Sequence, residues 1–414
     1  MFCSPCQAHT ARRNGCGYGL FSMDGTEKDA GFGPPTAEVL FLFIGGPHQV
    51  YHLAPAAAEL TRLLPGHQVT CLHTGDAAGA ALQTVRKVLA APALRIEEVR
   101  TPGWGRLLAR FRARSSATKT PLLLSLVPRL RRAAAVVTPE RTSSKLRYLG
   151  LRHSLMVHFR HGAGDRAPKS ESRQSRFDLV VVPGEKDLRR AVEKGYLPAE
   201  KLRAVGYLKL EFCLRLADSP PPIFDNNRPV VLFNPHFDPL ISSWPVARQV
   251  VERFAAQSRY NLVLAPHLRA AEDLGAGQRA QWQALEQAGK ILIDLDSHRL
   301  IDMSYAMAAD IYLGDMSSQL YEFLARPRPV AFLNAHGVDW RNDPRFRGWK
   351  LGEVADSLDT LMETLDRAVA SHAAVLPRQK EAVRDAFGEV SGAGLRGAQV
   401  IAEAIAARAG RPPS

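Results

Sequence analysis

The chain has 414 residues, 46% hydrophobic and 23% charged, with a formal net charge of +13. That length exceeds one ordinary core and that composition is globular, so two domains are expected and a largely disordered chain is excluded. No uncharged apolar run approaches about 18 residues, which excludes an obvious membrane-spanning helix.

The excess charge is local. Between positions 100 and 152 stand 13 Lys or Arg and a single acid, Glu140. A basic block of this kind marks a surface for an anionic partner, either nucleic acid or an anionic lipid surface.

Residues 1–36 are Gly- and Cys-rich with no apolar period, and read as a disordered tail. They lack the charged start and apolar middle of a signal peptide, and Met23 is an alternative start. Cys3 and Cys6 have metal-ligand spacing but no second pair to complete four ligands. With Cys71 and Cys213 isolated in apolar settings, the globular part reads as reduced and cytosolic.

An unbroken apolar strand over 39–44 ends at Gly45-Gly46-Pro47-His48. A helix over 51–64 and a strand over 68–73 complete a βαβ unit. The glycine turn is not G-x-G-x-x-G, so it fails as a dinucleotide fingerprint and is read as lining an acceptor cleft. Further strands are expected at 94–99, 154–159, 179–182 and 202–205, with a helix at 185–194. In the basic block, 107–114 sets apolar residues at helical spacing among arginines, and 122–130 is apolar and followed by Arg131-Arg132, suiting either a membrane surface or a core-facing helix with a solvated side. Aromatic residues there are too sparse for single-stranded nucleic acid, so no nucleic-acid partner is expected.

Residues 217–229 (ADSPPPIFDNNRP) form the clearest linker. A second series follows: strand 230–233, helix 245–256, strand 261–265, helix 277–288 and strand 291–293. Helix 298–307, strand 311–313, helix 318–324 and strand 330–333 continue it. The expected fold is α/β and GT-B-like, two doubly wound domains facing a central cleft. The first domain covers 37–216 and is the acceptor side. The second, 230–376, binds the nucleotide donor. The tail 377–414 is helical and packs back across the first half.

Four constellations fall at strand ends: His161-Gly162-Ala163-Gly164-Asp165, Gly206-Tyr207-Leu208-Lys209, His267-Leu268-Arg269 and Asp315-Met316-Ser317-Ser318. The last runs a strand into a Ser-capped helix, which leaves N–H groups and a hydroxyl facing outward and suits phosphate. The plainer reading of each is a capped helix or a hydrogen-bonding histidine. His161 is placed to act as a base, or to donate to a phosphate oxygen. His267 with Arg269 is placed to hold a pyrophosphate. Gly162 lets substrate approach the backbone. Asp315 and Glu322 are nucleotide candidates, Glu322 through the ribose, against the plainer reading of an acid favouring a helix's first turn. Asp302 and Asp310 read as capping or orienting residues, and His153, His158 and His298 as structural.

Taken together and in order, these stretches resemble the CDP-glycerol:poly(glycerophosphate) glycerophosphotransferases of teichoic-acid and capsule synthesis. The resemblance spans roughly 154–335. It rests on His161-Gly162, Gly206-Tyr207, Asn234-Pro235-His236, His267, and Asp315-Met316-Ser317-Ser318 followed by Tyr321-Glu322-Phe323. Leu208 replaces the family's proline and Met316 its tyrosine. The resemblance implies a GT-B transferase moving a polyol phosphate from a CDP-activated donor to a hydroxyl of a membrane-linked glycan or lipid. It implies catalytic roles for His161 and His267, donor phosphates at Ser317 and Ser318, and peripheral attachment to the inner membrane face through 100–152. Two other readings stand beside it: a nucleotide-sugar glycosyltransferase or UDP-sugar epimerase of the same fold, and a non-catalytic basic membrane- or RNA-binding protein. No metal is expected, and no cofactor beyond the donor itself.

Overall fold

The computed structural model describes residues 37–105, 119–162, 171–195, 197–216 and 221–410. The N-terminal tail with Cys3, Cys6 and Cys16, the amphipathic segment 107–114, Gly164 and Asp165, and linker positions 217–220 lie outside the described residues.

Two all-parallel sheets organise the chain. The first holds β1 (Glu38–Phe43), β2 (Gln68–His73), β3 (Arg95–Glu98), β4 (Ala135–Thr138), β5 (Leu155–Phe159), β6 (Leu179–Val182) and β7 (Leu202–Ala204), in the order β3-β2-β1-β4-β5-β6-β7. The second holds β8 (Val230–Asn234), β9 (Asn261–Leu264), β10 (Ile291–Ile293), β11 (Ile311–Gly314), β12 (Val330–Leu333) and β13 (Glu353–Ala355), in the order β10-β9-β8-β11-β12-β13. Strand order reverses between β1 and β4 and between β8 and β11, which is the doubly wound pattern. The central strands are buried on both faces, as parallel strands covered by helices must be.

Several elements differ from the sequence reading. β4 and β13 were not expected. The helix expected over 298–307 is two, His298–Ile301 and Ser304–Ala308, parted at Met303 with φ of 65°. Asp302 accepts the Ser304 N–H at 2.9 Å there, restarting the second helix. The C-terminal tail is also two helices, His372–Phe387 and Ala393–Ala409.

The second of these packs on helix Ala54–Leu63 of the first sheet. Gly397 permits that approach, since a Cβ there would lie 3.2 Å from the Ala56 Cβ. Glu211 anchors the helix start by accepting the N–H groups of Gly392 at 2.8 Å and Gly394 at 2.7 Å. A carboxylate at a helix N-terminus is favoured by the dipole.

The basic block is partly neutralised within the fold. Arg129 pairs with Glu38 and Glu97, Lys119 with Glu140, Arg147 with Asp178 and Arg100 with Glu98. In helix Lys119–Leu130, Leu122 and Leu123 are core. Cys71 and Cys213 are free and buried. Among the described residues no helix is long and apolar enough to cross a membrane.

Candidate active site

The carboxyl ends of the two sheets face each other, and a cavity of about 140 Å³ opens between them. Arg141, His158, Arg160, His161, Gly162 and Gln174 line it from the first sheet; His236, Met316, Ser317 and Ser318 line it from the second. Among the described residues that line it there is no carboxylate. Two guanidinium groups, three imidazoles and two hydroxyls therefore favour an anion.

The chain leaves β5 at Phe159 and reaches His161 two residues later. The His161 Nδ1 donates to the Pro139 carbonyl at 2.8 Å. That bond fixes the tautomer, leaving Nε2 with a lone pair. Burial lowers its pKa; Glu140 and the Pro139 carbonyl act against that effect, and Arg141 and Arg160 reinforce it. His48 and His52, from the short helix Pro47–His52 after the Gly45-Gly46 turn, stand 6.3 and 6.1 Å from the His161 ring. Burial and the His161 charge bring His48 down to about 4. This imidazole cluster is neutral near pH 7.

Gly162 joins the two halves. Its φ is +82°, and a Cβ would lie 3.2 Å from the Ser318 Oγ. Only glycine takes that backbone shape without strain.

On the second sheet, Ser317 caps helix Ser318–Leu324 by accepting the Gln319 N–H at 3.2 Å. His236 follows β8, and its Nδ1 accepts the Asp238 N–H at 3.0 Å. His267 follows β9, and its Nδ1 accepts the Arg269 N–H at 3.2 Å. In both rings Nε2 must then carry the proton when neutral, so each is a donor. The His267 ring lies 5.4 Å from His236 and 4.6 Å from Phe237. It stands behind His236 rather than in the cavity wall.

Three expected ligand residues have other positions. Arg269 is exposed and stacks on Phe237, 4.2 Å from the ring centre, away from the cavity wall. Asp315 is buried and accepts the backbone N–H groups of His236 at 2.7 Å and Ser243 at 2.9 Å. It ties the end of β11 to the His236 turn. Burial pushes its carboxyl up to about 7, against the backbone bonds from His236 and Ser243. Glu322 is also buried, and its two oxygens accept from the Tyr207 hydroxyl at 2.5 Å and the Lys209 ammonium at 2.7 Å. The expected ribose contact is replaced by a strut between the two halves, because Gly206-Tyr207-Leu208-Lys209 delivers its cation to this helix. Asp310 orients, as read, by accepting the Val230 N–H at 2.8 Å. His158 is buried in β5, with Nδ1 donating to the Thr138 carbonyl.

The sequence reading missed Arg141, Arg160 and Gln174. It named His236 without giving it a role. It also missed the work of Glu140, which accepts from Gln49 and Lys119, each at 2.9 Å. Recognising β4 would have shown Glu140 and Arg141 following a central strand's carboxyl end.

No family model matches the chain, and no curated protein matches it in sequence. Solved structures match over most of its length. A protein assigned to the UDP-N-acetylglucosamine 2-epimerases from Listeria monocytogenes is 14% identical, with a TM-score of 0.63, covering 92% of this chain and 99% of that one. The wall teichoic acid polymerase TagF is 12% identical, with a TM-score of 0.57, covering 91% of each chain. A UDP-GlcNAc 2-epimerase from Neisseria meningitidis, bound to UDP-GlcNAc, is 13% identical, with a TM-score of 0.56, covering 90% of this chain and all of that one. What this chain shares with them is the GT-B fold, two Rossmann-like domains with their strand ends face to face.

Proposed function

We propose that this chain is a transferase that takes a nucleotide-activated donor, and that it moves a polyol phosphate from a CDP-linked donor to an acceptor hydroxyl. The observation that carries the reading is the cavity itself. His161 offers a lone pair at Nε2, facing Ser317, Ser318 and His236 across a wall whose described residues include no carboxylate. His161 Nε2 takes the proton of the acceptor hydroxyl. The freed oxygen attacks the donor's distal phosphorus, the bond from that phosphorus to the bridging oxygen breaks, and CMP leaves with the bond's electrons. Ser317, Ser318 and the Nε2–H of His236 donate to the phosphate oxygens, with His267 supporting His236 from behind.

The similarity in fold to both a teichoic acid polymerase and UDP-sugar epimerases keeps a UDP-sugar glycosyltransferase or epimerase as the second reading. The cavity wall favours the first, because among its described residues imidazole is the only uncharged base. Purified protein incubated with CDP-glycerol, CDP-ribitol and UDP-sugars decides between them. Release of CMP supports the proposal, whereas release of UDP or an epimerised UDP-sugar supports the second reading. The acceptor is proposed to be membrane-linked, with Arg131, Arg132 and Arg152 of the basic block beside the surface. Cosedimentation with anionic vesicles but not neutral ones is the expected result.

A further inference from the structure

We propose that Glu140 is a positioning residue for His161: its buried carboxylate steadies the imidazolium that His161 becomes on taking a proton. The inference rests on His161 being the base of the proposed reaction. Glu140 belongs to the same turn as its neighbour Pro139, whose carbonyl holds the His161 Nδ1–H at 2.8 Å. One short turn after β4 thus supplies both the bond that sets the tautomer and the charge beside it.

Among the described residues, the groups around His161 make that charge singular. From the turn after β4 come Glu140 and Arg141, and from β5 and its end His158 and Arg160. From Pro47–His52 come His48 and His52, with Lys209 beside them. Lys119 approaches through Glu140, and His236 faces His161 across the cavity. Each of these except Glu140 is a cation or an imidazole. Two other buried acids in this part of the fold are paired, Asp187 with Arg160 at 3.1 Å and Arg190 at 3.0 Å, and Glu322 with Lys209 at 2.7 Å.

Glu140 is also built to stay ionised and still. It accepts from Lys119, from Gln49 and from the Thr142 hydroxyl at 3.1 Å. Gly45 makes the room, because a Cβ there would lie 1.8 Å from the Glu140 Oε1. Burial acts to raise the carboxyl, but Lys119 and these hydrogen bonds outweigh it and bring the pKa down to about 2. A proton arriving at His161 therefore meets a fixed negative charge rather than a second proton acceptor.

Imidazole NMR titration of the full chain tests this without any donor, with the His161 signal assigned by its loss in His161→Gln. In Glu140→Gln the His161 midpoint is expected to move down by about one pH unit, since a favourable charge is gone. In Lys119→Met it is expected to move up by a similar amount, because Glu140 is no longer offset. The acid limb of the pH–rate profile should follow the same two directions. No movement in either variant, or movement in one direction in both, overturns the proposal. If Glu140→Gln does not fold, Lys119→Met decides alone, an upward shift supporting it and any other result overturning it. Opposed shifts in a protein that turns over no nucleotide donor would overturn the donor reading and leave the electrostatic role of Glu140 standing.

Discussion

The two reversal points of the fold, β1/β4 in the first sheet and β8/β11 in the second, share one topology and hold opposite chemistry. At the first, charged and titratable side chains gather: His48, His52, Glu140, Arg141 and His161. At the second, the wall is made of Ser317, Ser318, Met316 and His236, whose Nδ1 accepts the Asp238 N–H. The carboxylates nearest it, Asp315 and Glu322, are buried and hydrogen-bonded into the scaffold. A site that must move a proton needs a group whose charge changes; a site that must hold phosphate needs groups whose charge does not. On the proposed function, the same strand order thus supplies a reactive wall and a holding wall.

The largest effect should come from the reactive wall. His161→Gln is expected to lower kcat by about 10² to 10⁴ while leaving donor affinity within severalfold, measured by CMP release and by direct donor titration. A proportionate loss of donor binding instead would move His161 to the holding wall. Next is the strut between the halves. Glu322→Ala strands the Lys209 ammonium in the interior and should cost about 3 to 5 kcal/mol in denaturant unfolding. Glu322→Gln, which keeps an acceptor, should cost less.

Acid sensitivity is expected to belong to the reactive wall as well. Burial lowers His158 to about 3 and, with the His161 charge, His48 to about 4. A folded pKa below the ordinary imidazole value of about 6.5 means the unfolded chain binds more protons in that window. Stability is then full above 6.5 and lost as pH falls from 6.5 towards 3. Asp315 acts the other way, its carboxyl raised from 3.8 to about 7, so its contribution is lost as pH rises across that interval. Thermal unfolding across pH 4 to 7 should therefore show a Tm that falls on acidification, and more steeply in Asp315→Asn. A Tm that rises on acidification would mean the histidines are solvated. The smallest effect is on the holding wall: Ser317→Ala should weaken donor binding about five- to tenfold and lower stability by about 1 kcal/mol through the lost cap.

The holding wall was the more legible of the two. A buried β11, a stop at Gly314 and a serine before Leu320, Phe323 and Leu324 are all local signals, and the structure places Ser317 as their cap. The reactive wall was legible only at His161-Gly162. β4 is four residues, Ala135–Thr138, two of them valine and set within a basic stretch. Too short for a period and opened by alanine, it gave little strand signal, and Glu140 and Arg141 went unplaced with it. Glu322 and Asp315 were assigned to ligand because an acid beside a phosphate turn reads the same whether its partner is a ribose, a lysine or a backbone amide. Lys209 lies 113 positions from Glu322, and no local pattern connects them.

What the sequence determined by itself was the alternation: short apolar runs stopped by glycine, amphipathic stretches between them and a proline linker between two series. Those follow from local preference and burial, which act over a few residues. The tertiary structure decided which strand ends meet, which acid is buried against which cation and which nitrogen of each histidine is left with a lone pair. These depend on distances set by packing between segments far apart in the chain, and a charge or tautomer takes its meaning only from the neighbour it is given.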